Sequence, residues 1–346
     1  MTRERWTLDE VCEKKSSNLM QKDLTLGTGE YPIYGASGLL GYVDFYQRDK
    51  EYIGIVKDGA GVGRAMLLPA KSSCIGTMQY LVPKDCISSH YLYYAVESMN
   101  LAKYNTGATI PHIYFRDYKK ETLPKKGRDE QDYIASNLDK VVETIKKRRS
   151  QLQFFDDLVK SQFIEMFGDI VRNEREWTCE SVEQVAPAVP YKGQIASSDG
   201  KFWLLNLDMV EAQTGEVISK VMVDPTEIGN STTTFDRGNV LYSKLRPYLN
   251  KVVIPTESGY ATSELLPLRP NPGKLNRYYF ASALRSDAFV GYIQEQVAGA
   301  KMPRVSMGVF RAFRIPCPPM LLQEQFARFV EQTDKSKIPF EAEVSA

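Results

Sequence analysis

One stretch of this chain is too long to fold inside a globular core. Residues 134–166 carry apolar side chains at alternating intervals of three and four, with two polar interruptions and no Pro or Gly before Gly168. This heptad pattern is typical of a helix that packs along one side against another helix. We predict a helix from about Asp129 to Phe167, roughly 58 Å long at 1.5 Å per residue. Such a helix is a strut, and its apolar seam requires a partner helix. The seam residues expected to form that interface are Ile134, Leu138, Val141, Ile145, Leu152, Phe155 and Val159.

A short motif occurs on both sides of the predicted strut. Residues 107–113 read GATIPHI and residues 299–305 read GAKMPRV, so Gly, Ala and Pro recur at the same offsets. At the same spacing, a Leu-Pro pair at 123–124 corresponds to an Ile-Pro pair at 315–316. This period is far longer than the roughly 20–50 residues of solenoid repeats, so two tandem copies of one domain explain it better.

The beginnings of the two halves are also alike. A Trp-Thr pair occurs at residues 6–7 and again at residues 177–178, and each pair precedes two apolar residues three positions apart. Those apolar residues are Leu8 and Val11 in the first half, and Val182 and Val185 in the second. Aromatic-rich runs at 91–98 and 278–286 predict a helix ahead of each G-A-x-x-P motif.

Between these features both halves are rich in strand-like sequence. Short apolar runs such as EYIGIVK (51–57) and NVLYSKL (239–245) are bounded by Gly, Pro or charged residues, as is typical of strands. The sequence therefore predicts an α+β protein with two tandem β-rich domains of like fold, joined by a long coiled-coil spacer helix and followed by a second short helix. The predicted boundaries are 1–122 for the first domain, 123–168 for the spacer helix, 169–315 for the second domain, and 316–346 for the short helix and tail.

Composition excludes several classes of protein. A net charge of +1 over 346 residues gives no global field for a nucleic acid or a membrane, although local basic faces are compatible with it. No apolar segment approaches about 18 residues, so no membrane span is expected. The first residues lack the apolar region of a signal peptide, and cytoplasm is the expected compartment. The five cysteines are scattered without a C-x-x-C pair, which predicts reduced thiols and no metal site.

Several segments, in their order along the chain, carry a family resemblance. They are YPIYGASGLLGY (31–42), KDGAGVGR (57–64), LVKSQFIEMFGD (158–169), NVLYSKLRPYLNK (239–251), and the Glu-Gln pairs at 130–131 and 324–325. Together they resemble the specificity (S) subunit of type I restriction–modification systems. The likeness spans about residues 5–335.

The resemblance implies that each half is a target-recognition domain that reads one half of a bipartite, asymmetric site on double-stranded DNA. It also implies that the helices hold the two readers at a fixed spacing and dock the methyltransferase (M) subunits. Restriction/translocase (R) subunits would join the larger complex. The S subunit itself carries out no chemistry and needs no cofactor.

The residues agree with a non-catalytic role. PCPPM at 316–320 lacks the aromatic residue of an adenine-methyltransferase turn, and the Glu-Lys-Lys run at 13–15 has no acidic strand partner to complete a nuclease site. Two alternatives stay open. One is a scaffold or decoy paralogue that keeps the helices but directs no methylation, and the other is a stand-alone nuclease with its own recognition domains.

Two glycine-punctuated segments of the first half are candidates for DNA contact. Tyr34 and Ser37 lie in YPIYGASG, where small polar side chains would reach base edges, and an ordinary turn is the alternative. Lys57 and Arg64 flank GAGVG at 59–63, which is a hairpin that needs positive φ, a close approach of the backbone to DNA, or both. The segment lacks the Lys-Ser/Thr of a P-loop, so nucleotide binding is not favoured.

The strongest candidate in the second half is YSKLRPYLNK at 242–251, which alternates aromatic and basic residues and ends at Lys251. On a strand, Tyr242, Lys244, Arg246 and Tyr248 would share one face. Such a face suits phosphate contact and readout of guanine by arginine. A solvated strand face with Tyr packed on Arg is the alternative.

The repeated G-A-x-x-P motif is expected to position the chain that leads into each helix, because Gly and Pro frame it. DNA contact by Thr109, His112, Lys301 and Arg304 is the alternative. The basic run KKRR at 146–149 is expected to be a solvated helical face, with contact to an M subunit or a DNA phosphate as its alternative.

The end of the chain departs from the family pattern, in which the second strut is about as long as the first. Here the second helix is expected from about Leu321 to Thr333, roughly 20 Å, because Pro339 would stop its continuation. An antiparallel helix would start beside residues 155–166 and leave 134–145 without a partner in the chain. An exposed apolar stripe usually marks an interface, so helices of M subunits or a second copy of this chain are expected to complete the bundle.

Overall fold

The protein is described by a computed structural model that covers residues 4–27, 29–107, 110–298 and 303–344. The chain divides into two compact units, residues 1–145 and 146–346. Each unit mixes helices with small sheets, so the predicted mixture of α and β structure is confirmed.

The first unit is built from short strands and short helices that lead into one long helix. Its strands are β1 (Arg5–Thr7), β2 (Cys12–Ser16), β3 (Tyr31–Gly35), β4 (Gly38–Val43), β5 (Tyr52–Val56), β6 (Ala65–Leu68), β7 (Ser73–Cys74), β8 (Met78–Pro83) and β9 (Thr122–Pro124). Its helices are α1 (Leu8–Val11), α2 (Ser89–Ser98), α3 (Phe115–Tyr118) and the first part of α4 (Arg128–Phe167). The strands pair in the antiparallel order β2-β8-β5-β6 and in the order β4-β3-β7, in which β3 and β7 are parallel; β1 pairs with β9.

Local sequence explains where these elements form. Thr7 begins α1 with a capping box, in which its backbone N–H donates to Glu10 Oε2 at 2.6 Å. β5 reads YIGIV and all its residues are buried, as expected of a central strand. At Gly54 a Cβ would lie 2.6 Å from Leu68 Cδ1, so a larger residue there would require the Leu68 side chain to shift.

The second unit contains the remaining strands and helices. Its strands are β10 (Cys179–Ser181), β11 (Ser197–Ser198), β12 (Lys201–Leu205), β13 (Val221–Val223), β14 (Thr232–Phe235), β15 (Val240–Ser243), β16 (Val252–Val253), β17 (Gly259–Thr262), β18 (Leu265–Leu268), β19 (Val297–Ala298), β20 (Arg304–Val305) and β21 (Arg314–Pro316). Its helices are the last part of α4, α5 (Val182–Val185), α6 (Arg277–Arg285), α7 (Asp287–Gln294), α8 (Met307–Ala312) and α9 (Met320–Val344). The strands pair in the orders β16-β15-β18 and β11-β12-β17-β14, with β13 also on β12; β10 pairs with β21, and β19 with β20.

The predicted long helix is present as α4, which has 40 residues and is about 60 Å long. Its first turns belong to the first unit, where Ala135 is buried and Ile134 packs against the core. Its last turns belong to the second unit, where Phe163 and Phe167 are buried in the core. One helix therefore contributes core residues to both units.

The predicted end of the second helix is wrong. α9 continues past Thr333 and Pro339 to Val344, so it has 25 residues and is about 37 Å long. Pro339 removes one backbone donor without ending the helix. Lys337 is only 7% exposed, and its ammonium group pairs with Asp156 of α4 at 2.6 Å. This contact anchors α9 beyond the expected stop.

The start of α9 lies beside the C-terminal end of α4, as expected. The ring of Phe326 has its centroid 5.5 Å from those of Phe163 and Phe167. Further along α9, Lys337 reaches back to Asp156. The two helices therefore run antiparallel over this part of the second unit.

A buried glutamine near the start of α4, Gln131, holds helix α2 of the first unit. Gln131 Oε1 accepts the backbone N–H of Ser88, the N-cap residue of α2, at 2.8 Å. Its Nε2 donates to the carbonyl oxygens of Cys86 and Lys126 at 3.0 and 2.9 Å. All three hydrogen bonds satisfy backbone groups outside regular strands or helices.

The second unit repeats this arrangement with Gln323. Its Oε1 accepts the backbone N–H of Asn276, the N-cap residue of α6, at 2.8 Å. Its Nε2 donates to the carbonyl oxygens of Lys274 and Pro318 at 2.9 and 2.7 Å. Gln323 lies 192 positions after Gln131, which is the spacing at which the G-A-x-x-P motif recurs, whereas Gln325 of the second Glu-Gln pair is exposed.

The opening strand also recurs, in a register that corrects the sequence comparison. Trp6 of β1 lies opposite Leu123 of β9, and Glu180 of β10 lies opposite Ile315 of β21. Glu180 therefore occupies the position of Trp6, and the predicted equivalence of Trp6 with Trp177 is wrong. The apolar residues that follow correspond as predicted and are all buried: Leu8 and Val11 in α1, and Val182 and Val185 in α5.

Candidate nucleic-acid interface

Residues 57–64 join β5 to β6 and are here called the first basic loop. Gly59, Gly61 and Gly63 all have φ between +82° and +88°, a region that favours glycine. At Gly63 a Cβ would also lie 2.4 Å from the backbone nitrogen of Ala102. The predicted glycine-dependent hairpin is therefore confirmed.

Residues 244–251 join β15 to β16 and are here called the second basic loop. The predicted strand face is wrong, because β15 ends at Ser243 and Pro247–Leu249 form a short 3₁₀ helix. Arg246 adopts φ +51°, which turns the chain out of the strand direction. Pro247 has no N–H with which to continue a strand ladder, and this explains why the alternating pattern does not become a strand.

In the first unit, the GATIPHI segment holds the first basic loop in place. The backbone N–H of Gly59 donates to the carbonyl of Pro111 at 2.9 Å. The carbonyl of Lys57 accepts the N–H of Ile113 at 3.0 Å. The repeated motif therefore supports a basic loop in addition to leading towards the next helix.

In the second unit, the same two hydrogen bonds hold the second basic loop. The backbone N–H of Arg246 donates to the carbonyl of Pro303 at 2.8 Å. The carbonyl of Lys244 accepts the N–H of Val305 at 3.0 Å. Each basic loop is thus held by the same pair of backbone hydrogen bonds to its G-A-x-x-P segment, although the loop sequences differ. This pair of hydrogen bonds is here called the shared frame.

Two of the four motif residues that were named as alternative DNA contacts have protein partners. His112 Nδ1 contacts the carboxylate of Asp58, and the guanidinium of Arg304 pairs with Glu264 at 2.9 Å. Thr109 and Lys301 lie outside the described residues.

In the first unit, Tyr34 and Lys57 are both hydrogen-bonded through the backbone to the segment 75–77. The carbonyl of Tyr34 accepts the N–H of Ile75 at 2.9 Å, and the carbonyl of Thr77 accepts the N–H of Lys57 at 3.0 Å. Ser37 is exposed in the two-residue turn that follows β3. Tyr34 is partly buried, and this burial raises the pKa of its phenol.

The basic side chains of the first basic loop differ in their surroundings. Lys57 Nζ pairs with Asp58 at 2.9 Å, so part of its charge is compensated within the loop. Arg64, at the other end of the loop, is exposed. Arg64 is therefore better placed than Lys57 for contact with a phosphate.

In the second unit, Tyr242 is wrongly predicted as a DNA contact. It is 4% exposed, its ring is stacked on Phe310 at 4.7 Å between centroids, and burial raises the pKa of its phenol. Lys251 also makes a hydrogen bond within the protein, since its Nζ donates to the carbonyl of Leu207 at 2.6 Å. Both residues belong to the support of the loop.

Arg246 and Tyr248 remain as exposed side chains at the tip of the second basic loop, with Tyr248 43% exposed. Lys244 is partly buried at the base of the loop. An exposed guanidinium beside an exposed phenol suits contact with phosphates and with guanine edges in a groove.

Sequence reasoning missed Gln213, which supports this tip. Its backbone N–H donates to the carbonyl of Leu249 at 2.9 Å, and its Nε2 donates to the carbonyl of Tyr248 at 3.0 Å. No local sequence pattern predicts these contacts, because Gln213 is 35 residues from Tyr248 in sequence.

The predicted seam residues of α4 are either exposed or partly buried. Leu138 and Val141 are exposed, Val141 to 53%, and the neighbouring Val142 is equally exposed. The other seam residues are partly buried: Ile134, Ile145, Leu152, Phe155 and Val159. An apolar strip around Val141 is therefore open to solvent.

Neither a metal site nor a membrane helix is found in the described parts of the chain. Across these residues, no three His, Cys, Asp or Glu side chains are grouped so as to hold a metal ion. Likewise, none of the helices described has the length and apolar character that crossing a membrane requires.

Comparison with known proteins gives consistent matches. Residues 3–153 match the family model "Type I restriction modification DNA specificity domain". The chain is 19% identical over 366 residues to the Type I restriction enzyme EcoDI specificity subunit of Escherichia coli, covering 94% of this chain and 81% of that protein. Its fold is similar to that of the type I restriction-modification system S subunit from M. genitalium, with a TM-score of 0.63 and 16% identity, covering 99% of this chain and 92% of that one.

The first of these matches is to a DNA specificity domain, and it covers residues 3–153 of this chain. The likeness to a type I specificity subunit extends over 94% of the chain. The family resemblance stated from the sequence is confirmed.

Proposed function

We propose that this chain reads a bipartite, asymmetric site on double-stranded DNA and directs a type I restriction–modification complex to it. The observation that carries the proposal is the frame shared by the two basic loops, in which the carbonyls of Pro111 and Pro303 accept equivalent backbone N–H groups. A shared frame with different loop sequences is what two readers of different half-sites require. Such a pair reads an asymmetric site.

Each reader has its own set of DNA contacts in this proposal. In the first unit, Arg64 and Lys57 contact the backbone of one half-site, and Ser37 and Tyr34 lie near its bases. In the second unit, Arg246 and Tyr248 contact the other half-site from the tip of the loop, with Lys244 near the phosphates. The proposed domain limits are 1–122 and 169–315, with α4 as the spacer between the readers.

The helices are proposed to assemble the rest of the complex. The exposed strip at Leu138, Val141 and Val142 has the character of a protein interface, because several large apolar side chains are open to solvent in one place. Helices of M subunits are the proposed partners, with R subunits joining the larger complex. A second copy of this chain is the alternative occupant of the strip.

An exchange of one reader tests the proposal. Residues 170–315 are replaced by the corresponding segment of a related specificity subunit with a known target, and the sites methylated by the assembled complex are mapped. We expect one half-site to change and the other to stay the same. A change in both half-sites, or in neither, would contradict modular reading.

Methylation mapping also separates this proposal from a non-directing scaffold. Long-read methylation maps of the host are compared with and without the gene. Loss of one bipartite methylation motif supports the proposal, and identical maps support the scaffold.

A further inference from the structure

The two units share the strands beside the basic loops but connect them differently. In the first unit, Ile33 of β3 lies opposite Gly41 of β4 and is parallel-paired with Ser73 of β7. In the second unit, Leu204 of β12 lies opposite Val221 of β13, and β12 is parallel-paired with β17. The same three-strand arrangement therefore occurs in both units, with two strands before the basic loop and one strand after it.

The connection across these strands is where the units diverge. In the first unit, residues 34–40 close the hairpin with a two-residue turn between the paired Gly35 and Gly38. In the second unit, residues 205–220 make the same connection through a much longer path, here called the insert. The insert has no counterpart in the first unit.

The insert makes three hydrogen bonds to the second basic loop. The backbone N–H of Gln213 donates to the carbonyl of Leu249 at 2.9 Å, and its side-chain Nε2 donates to the carbonyl of Tyr248 at 3.0 Å. At the base of the loop, the carbonyl of Leu207 accepts a hydrogen bond from Lys251 Nζ at 2.6 Å. The tip and the base of the loop are thus both tied to the insert.

The second basic loop needs this support because of its backbone. The two loops are equal in length and close alike, with Val56 N–H donating to Arg64 and Ser243 N–H donating to Lys251, both at 3.0 Å. Where the first loop has Gly59 and Gly63, the second has Arg246 and Asn250, each at φ +51°. Residues other than glycine are strained in this region and persist there when their surroundings hold them.

Gln213 shows the same strain. Its own φ is +72°, so the residue that holds the tip is also in the left-handed region. Both of its hydrogen bonds go to carbonyls of the 3₁₀ helix that directly follows Arg246. The position of Gln213 and the conformation of the tip therefore depend on each other.

We propose that Gln213 is a positioning residue for base recognition: from the insert, it fixes the tip of the second basic loop so that Arg246 and Tyr248 meet the bases in one orientation. The inference rests on the proposed function, because it names what sets specificity in the second reader. The first reader presents a glycine tip without an insert. The two half-sites are therefore read through different means, a supported side-chain tip in one unit and a close backbone approach in the other.

The variants Gln213→Gly and Gln213→Ala test this proposal in the full chain assembled with its M subunits. Glycine keeps the left-handed backbone and its N–H donor but loses the side-chain hydrogen bond, whereas alanine loses the side chain and keeps the strain. The control is Gln325→Ala, which truncates an exposed glutamine of the same unit. Circular dichroism confirms that each variant is folded.

The readout is the base preference at every position of a bipartite duplex, selected from DNA randomised in both half-sites. We expect Gln213→Gly to reduce discrimination about fivefold in one half-site, as the loss of one hydrogen bond predicts, and to leave the other half-site unchanged. The affected half-site is the one that changes when residues 170–315 are exchanged. Binding to DNA of random sequence stays as in the wild type, because the phosphate contacts remain.

Two results would overturn the inference while leaving the proposed function intact. One is an unchanged base preference in both Gln213 variants, and the other is an equal loss on random DNA, which would show a general weakening of the loop. If the wild-type complex selects no bipartite sequence, the proposed function itself fails, and the inference fails with it.

Discussion

The two buried glutamines allow a quantitative prediction about how α2 is held to α4 and how α6 is held to α9. Gln131 and Gln323 are each at most 1% exposed, and each makes three hydrogen bonds to backbone groups. Methionine is close to glutamine in size but makes none of these bonds. At about 1 kcal/mol for each hydrogen bond, Gln131→Met or Gln323→Met should cost about 3 kcal/mol, or roughly 150-fold in the local opening equilibrium.

The effect should be confined to the unit that carries the substitution. A single unfolding free energy is poorly defined for a chain with two units, so hydrogen exchange followed by mass spectrometry is the better assay. We expect Gln131→Met to speed exchange in peptides that cover residues 86–98, and Gln323→Met to speed it in those that cover 274–285. The matched control is Gln325→Met, which replaces an exposed glutamine of α9 and should change exchange in neither region.

Two outcomes would refute this reasoning. If each buried substitution cost less than about 1 kcal/mol, water would be replacing the lost hydrogen bonds and the glutamines would not hold the junctions. If Gln325→Met had the same effect as Gln323→Met, the three hydrogen bonds would not be the cause.

Three further perturbations test other parts of the molecule. Arg246→Ala should weaken specific DNA binding roughly 5- to 150-fold in a titration at fixed salt, since a bidentate contact with a base contributes ~1–3 kcal/mol of discrimination; an equal loss on random DNA would mean that the arginine grips phosphate only. Lys337→Met should cost about 1–2 kcal/mol, because it leaves the partly buried Asp156 without its ammonium partner, and should speed hydrogen exchange in α9 after Thr333; unchanged exchange there would show that other contacts hold the end of the helix. The double variant Leu138→Asp/Val141→Asp should lose binding to M subunits, or self-association, as measured by light scattering, whereas a monomeric wild-type chain together with undiminished M binding by the variant would contradict the proposed interface.

The candidate site shows which sequence inferences were limited by local pattern. The alternation in residues 242–251 is real, but Pro247 converts it into a turn, so Tyr242 enters the core while Arg246 and Tyr248 stay exposed. Periodicity indicates which residues would share a face if a strand continued. It does not show where the strand ends.

The register of the two copies had a similar limit. The sequence comparison aligned the two Trp-Thr dipeptides because their letters are identical, whereas the strand pairing places Glu180 at the position of Trp6. Identical residues are a weak guide to aligning two copies of a domain when the structure constrains few of their positions. The constrained positions are those where a buried backbone group needs a partner.

The sequence by itself determined the long helix, the repeated G-A-x-x-P motif and the family resemblance, because these depend on periodicity and order along the chain. Only the tertiary structure showed how far α9 extends: Pro339 lies inside the helix, and Lys337, two residues before it, pairs with Asp156 of α4. It alone also revealed Gln213, whose hydrogen bonds join segments that are distant in sequence. The helix preferences of residues other than proline differ by no more than about 1 kcal/mol, so a few long-range contacts are enough to choose among local structures.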